Sequence, residues 1–242
     1  MSQVKDDSGR YSVAMEVAAP LAIFTRPDTG GAPSSYPVPT WSAAKGILES
    51  IAFFRDGSAW FHPIRVEVCR SIGTIGGVVL FQHYTTNYGG PMRKSDLFDK
   101  GMLSGGSSMQ LAATVLNNVC YRIHATVAGG KLPNRNPRHH LKDLFDRRLA
   151  RGQCYRTPCL GWSEFTCSYW GGARTSLTEV DDQVCLTIPS MLVRPWGEDV
   201  ASGADACYEP EFRRDVKVER GVLLYAPQAG ITGNAGGASD AQ

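Results

Sequence analysis

The chain has 242 residues, 43% hydrophobic and 20% charged, the balance of a globular protein long enough to bury a sizeable core. Its formal charge of +2 excludes a uniformly basic nucleic-acid binder, so any such affinity has to be local. No apolar stretch approaches the roughly 20 residues that a bilayer-spanning helix needs, and the polar start, Met1–Arg10, lacks the apolar core of a signal peptide.

Tyr11–Phe24 (YSVAMEVAAPLAIF) reads as a first strand, from its partial alternation. A Gly/Pro/Ser-rich loop with Tyr36 inside it follows, and Thr40 is placed to cap a helix, TWSAAKGILESIA. Ala44, Ile47, Leu48 and Ile51 fall at helical spacing there. Asp56-Gly57 is a turn, Trp60–Val68 a strand, and VVLFQHY, ending at Tyr84, another. Asn87–Ser108 is a polar, Gly-rich excursion, and Leu111–Val127 a long strand. Pro137–Arg151 predicts a second helix with Leu141, Leu144, Phe145 and Leu149 on its apolar face. Short β-type segments are expected near Gln153–Tyr169, Val184–Val193 and Val216–Tyr225, before a Gly/Ala/Ser tail.

This order is that of an α+β, ferredoxin-like module: an antiparallel sheet with two helices on one face and the other open to RNA. The division it suggests is a ferredoxin-like domain over residues 1–152, a β-rich C-terminal part over 153–228 and a disordered tail over 229–242.

Cys69, Cys120, Cys154, Cys159, Cys167, Cys185 and Cys207 form no CxxC pair and read as free thiols of a cytoplasmic protein. A zinc site from Cys154, Cys159 and Cys167 would need spacings that common zinc patterns lack, so no metal or cofactor is expected. Charge is concentrated between Lys131 and Arg156. There Arg135, Arg138, Lys142, Arg147, Arg148 and Arg151 face only Asp143 and Asp146, the footprint of a nucleic-acid contact.

Three stretches go beyond pattern. Glu16–Pro27 (EVAAPLAIFTRP) with Ser35–Ile51 (SYPVPTWSAAKGILESI), Cys120–Ala125 (CYRIHA) and Asn136–Phe165 (NPRHHLKDLFDRRLARGQCYRTPCLGWSEF) occur in that order. Together they resemble the Cas-five family of CRISPR-associated proteins, d-subtype, of type I-C Cascade complexes. The likeness is thinner towards SMLV and EFRRDVKVERGVLLY. It implies an RRM-like fold of the RAMP superfamily and a subunit that holds the 5′ repeat-derived handle of CRISPR RNA. It also implies backbone and large subunits of a Cascade-like complex as partners, no membrane association, and metal-independent cleavage of the precursor transcript.

Such cleavage needs a base for the 2′-hydroxyl proton, a cation for the oxyanion and an acid for the leaving 5′-oxygen. Histidine suits the proton transfers, and lysine or arginine the charge. His139 and His140 beside Arg138 and Lys142 concentrate these roles. The family's Lys-His pair corresponds to Arg138-His139 or to His139-His140. His140 is favoured as acid/base, then His139, with Lys142 or Arg138 for charge. Where the family carries a tyrosine after its first helix, this sequence has Ala52, followed by Phe53 and Phe54. That departure favours the alternative of a purely structural, handle-binding subunit. Candidate RNA contacts are Arg26, Tyr36, Lys45, Arg122, Arg135, Arg138, Arg147 and Arg148.

Overall fold

The computed structural model describes residues 11–88, 109–129, 136–196 and 210–225. Arg135, Cys207, the tail at 229–242 and all but the first two residues of the excursion at 87–108 lie outside these residues.

Strand β1 (Ser12–Ala22) leads to helix α1 (Trp41–Ile51), and strands β2 (Ala59–Ser71), β3 (Phe81–Tyr88) and β4 (Met109–Gly129) follow. Helix α2 (Pro137–Ala150) precedes the short strands β5 (Tyr169–Gly171) and β6 (Thr178–Val180), then β7 (Leu186–Arg194), β8 (Glu211–Glu219) and β9 (Val222–Leu224). Among the described residues the strands form a curled antiparallel sheet whose main path runs β5-β1-β4-β2-β9-β8-β7, with β3 on β4 and β6 on β2. The strands after α2 therefore join the same sheet from both edges.

The alternation of β1 decides which residues meet the helices. Val13, Met15, Val17 and Ala19 enter the core, while Glu16 points to the helix-free face. In β4, Tyr121, Ile123, Ala125 and Val127 do the same in register with β1, as Val17 opposes Tyr121 and Met15 opposes Ile123. Helix α1 starts where the sequence says it should. Thr40 accepts a hydrogen bond from the Ala43 amide at 3.1 Å. Ala44, Ile47, Leu48 and Ile51 are all buried. In α2, Leu141 and Phe145 are buried, and the Phe145 ring packs on Phe61 of β2 at 5.1 Å.

The segment at 153–169 differs from expectation. Only an isolated bridge, Cys159 to Thr166, precedes β5 there. Leu160 instead accepts from the Ile23 amide at 2.9 Å, pinning a loop across the end of β1. Gly161 permits this closeness with a φ of 98°, because a Cβ there would run into the Ile23 carbonyl. The strand around VVLFQHY starts later than expected, at Phe81, since Gly73 and Gly77 turn the preceding chain with positive φ.

Candidate nucleic-acid interface

The first candidate surface is the helix-free face of the sheet. Glu16, Arg122 and Glu67 stand side by side there on β1, β4 and β2. Glu16 is 0% exposed. Its carboxylate accepts from Arg174 Nε at 2.7 Å, the Arg174 amide at 3.1 Å, Thr178 Oγ1 at 2.9 Å and Arg122 Nη2 at 3.2 Å. Arg122 also reaches Glu67 at 3.4 Å, which has Arg65 and His124 each 3.0 Å away. The Arg174 guanidinium lies on the Tyr169 ring, 3.6 Å from its centroid. Burial pushes the Glu16 carboxyl up, but the hydrogen bonds from Arg174 and Thr178 outweigh it and hold it below the ordinary range. This face is an ion network in which each arginine already answers a carboxylate, roofed in part by the chain from Tyr169 to Val180. Arg122 is committed to that network.

Other expected RNA contacts are engaged as well. Lys45, 3% exposed, pairs with Glu49 at 3.0 Å inside the protein. Arg26 is bidentate to Asp28, at 3.0 and 2.7 Å. Tyr36 is buried, and its hydroxyl accepts from the Leu192 amide at 3.0 Å.

The second surface is α2. Pro137 opens it, and Asn136 makes no side-chain cap but donates to the Tyr11 hydroxyl at 2.8 Å. The first turn carries no acidic residue, so its amides and the helix dipole favour an anion. His139 and His140 are exposed on this turn. His139 Nε2 lies 3.3 Å from Asp143 Oδ2, which orients the ring, whereas His140 presents its imidazole to solvent. Lys142 pairs with Asp146 at 2.5 Å, and Arg138 lies over the Tyr11 ring at 4.6 Å. One helix thus brings together His139, His140, Arg138 and Lys142 at its start and Arg147 and Arg148 at its end. Arg148 Nη1 donates to the Ile51 carbonyl at 2.7 Å, tying the end of α2 to the end of α1.

Sequence reasoning missed Arg55 and Tyr155 and counted Arg156 only within the basic block; the three meet at this junction. Tyr155 is 53% exposed, stands edge-on against Phe53 at 4.7 Å, and its hydroxyl accepts from Arg55 Nη2 at 3.1 Å. The Glu16–Arg174 pair was missed too, although a lone carboxylate among the small apolar residues of β1 is a readable signal. The cysteines of the described residues are free, and among those residues no group of three or more His, Cys, Asp or Glu is placed to hold a metal ion. No helix among the described residues is long and apolar enough to cross a membrane.

Comparison with known proteins agrees with the motifs. The chain is 31% identical over 162 residues to the CRISPR pre-crRNA endoribonuclease Cas5d of Mannheimia succiniciproducens, covering 63% of this chain and 69% of that protein. It is 32% identical over 152 residues to the protein of the same name from Thermus thermophilus, covering 62% of this chain and 60% of that one. A solved CRISPR-associated protein superposes with a TM-score of 0.55 at 16% identity, over 90% of this chain and 93% of the other. A functionally uncharacterized protein from Streptococcus mutans superposes with a TM-score of 0.52 at 18% identity over the same shares. Both share the fold. The sequence model of the CRISPR-associated protein (Cas_Cas5) family matches residues 12–169, more than half of the chain, and the chain belongs to that family, in its Cas5d branch.

Proposed function

We propose that this chain binds CRISPR RNA within a Cascade-like complex and cleaves the precursor transcript without a metal, using the start of α2. The fold supports this reading as a ferredoxin-like, RAMP-type module, since β5-β1-β4-β2 is the antiparallel order of a split βαβ unit with both helices on one face. On this view the unit at 1–152 borrows β5 as its fourth strand from the β-rich part at 153–228, and the chain works inside the cell beside backbone and large subunits.

The observation that carries the catalytic reading is the uncapped, acid-free first turn of α2 with two exposed histidines on it. A phosphate seated on that turn meets the positive end of the helix dipole beside Arg138. His140 exchanges the proton of the 2′-hydroxyl or the 5′-oxygen. His139, oriented by Asp143, takes the complementary role. The family relatives bear the name of pre-crRNA endoribonucleases, which agrees with this chemistry.

The test is incubation of the protein with its labelled cognate repeat RNA in excess EDTA, beside a His139→Ala/His140→Ala double variant. The expected result is one discrete cut by the parent, at least about 100-fold slower in the variant, with RNA still bound. Tight binding by the parent with no cut would instead establish the handle-holding role alone, the outcome that Ala52 favours. A cut that EDTA abolishes would overturn the metal-free mechanism.

A further inference from the structure

At the junction of the two helix ends lies a surface that the proposed cleavage does not use. We infer that Tyr155, seated on Phe53, is a stacking platform for an unpaired RNA base, with Arg55, Arg148 and Arg156 around it as phosphate contacts. The inference rests on the RNA-binding reading and adds a binding site to it.

Three observations point there. The first is exposure: Tyr155 keeps 53% of its surface in water, and the half-buried Phe53 packs against it edge-on, while its neighbour Phe54 packs against the core. An aromatic pair left at the surface is a base-sized apolar face.

The second is rigidity. The Tyr155 amide donates to the Ser50 carbonyl at 2.9 Å and to that of Ile51 at 3.2 Å, and the Arg156 amide donates to Ser50 at 2.9 Å. These bonds satisfy the last carbonyls of α1 and fix the backbone on either side of the ring. The ring is held at 75° to Phe53, and Arg55 holds its hydroxyl. Little side-chain freedom remains to be lost when a base stacks.

The third is charge. Arg55, Arg148, Arg151 and Arg156 gather at this junction, and among the described residues no carboxylate pairs with them. Arg148 is fixed to the Ile51 carbonyl, which Tyr155 shares. Elsewhere the cations Arg26, Lys45 and Arg122 each answer a carboxylate. A ring among guanidiniums that no carboxylate neutralises suits a single strand, whose bases stack while its phosphates track the cations.

The experiment measures affinity for the labelled cognate repeat RNA by fluorescence anisotropy, with Tyr155→Ala, Tyr155→Phe and Tyr155→Trp beside the parent. The expected result is about tenfold weaker binding for Tyr155→Ala, with the phenylalanine and tryptophan variants near parental, because stacking needs the ring and not the hydroxyl. The salt dependence of Tyr155→Ala should match the parent's, since no phosphate contact is removed. Parental affinity in Tyr155→Ala overturns the platform while leaving RNA binding intact. Equal losses in the alanine and phenylalanine variants show a hydroxyl contact and overturn stacking. A parent that binds no RNA overturns the RNA-binding reading and the platform with it.

Discussion

Glu16 is held by four donors with no water access, and two of those donors belong to a single arginine more than 150 residues away. Removing the carboxylate strands Arg174 and Arg122 in a half-buried site, and breaking one side of a buried pair costs about 3 kcal/mol. Glu16→Ala should lower the urea midpoint accordingly, with an unchanged m-value; an unshifted midpoint would mean the network adds no stability. His124, beside it, has its proton affinity lowered by burial, which outweighs the pull of Glu67, with Arg65 and Arg122 adding to the lowering. A histidine whose folded pKa lies below its unfolded value, about 6.5, binds fewer protons when folded. Its contribution is therefore full above that value and declines as pH falls below it. The melting temperature should fall between about pH 7 and pH 5.5, and His124→Gln should flatten that part of the profile.

At the scale of elements, the best-read part of the sequence was α1, and the reason is local. Its cap, its spacing and its end all act within four residues, so Thr40→Ala should cost about 1 kcal/mol of unfolding free energy measured by denaturant titration. Strand β4 was legible from its alternation and length, and α2 from Pro137 and its spaced Leu141 and Phe145. The three-residue strands β5 and β6 were less so, because they exist only through partners far along the chain: β5 lines up on Glu16–Ala18, β6 on Cys69–Ser71. The charge of the candidate site was legible in the same uneven way. That α2 carries the basic block can be read from Lys131–Arg156, but not that Arg122 is consumed by Glu16 and Glu67, since both pairs cross strands; the i,i+4 spacing of Lys45 and Glu49 is readable, but their burial is not. Tyr155 lies in a stretch that reads as a strand, and only its docking on the last carbonyls of α1 reveals it as a surface aromatic.

For the whole molecule, a net charge of +2 means that long-range attraction to RNA is weak. Affinity must come from cations that the fold leaves without carboxylates, and among the described residues five of these lie at the shared end of α1 and α2, Arg55, Arg147, Arg148, Arg151 and Arg156, while Arg214, Lys217 and Arg220 lie apart, on or beside β8. Each arginine that replaces a condensed counterion on a single strand contributes about 0.7 to the slope of log K against log salt. An Arg148→Gln/Arg156→Gln double variant should therefore reduce that slope by about 1.4, measured by titrating the cognate repeat RNA across a series of NaCl concentrations. Arg26→Gln is the control, because Arg26 is already neutralised by Asp28 and has no counterion to displace. Its slope should equal the parent's. A slope lowered by Arg26→Gln and untouched by the double variant would move the RNA path away from the helix ends and onto the loop after β1. The reverse pattern ties the electrostatic part of binding to the helix ends, where Tyr155 stands.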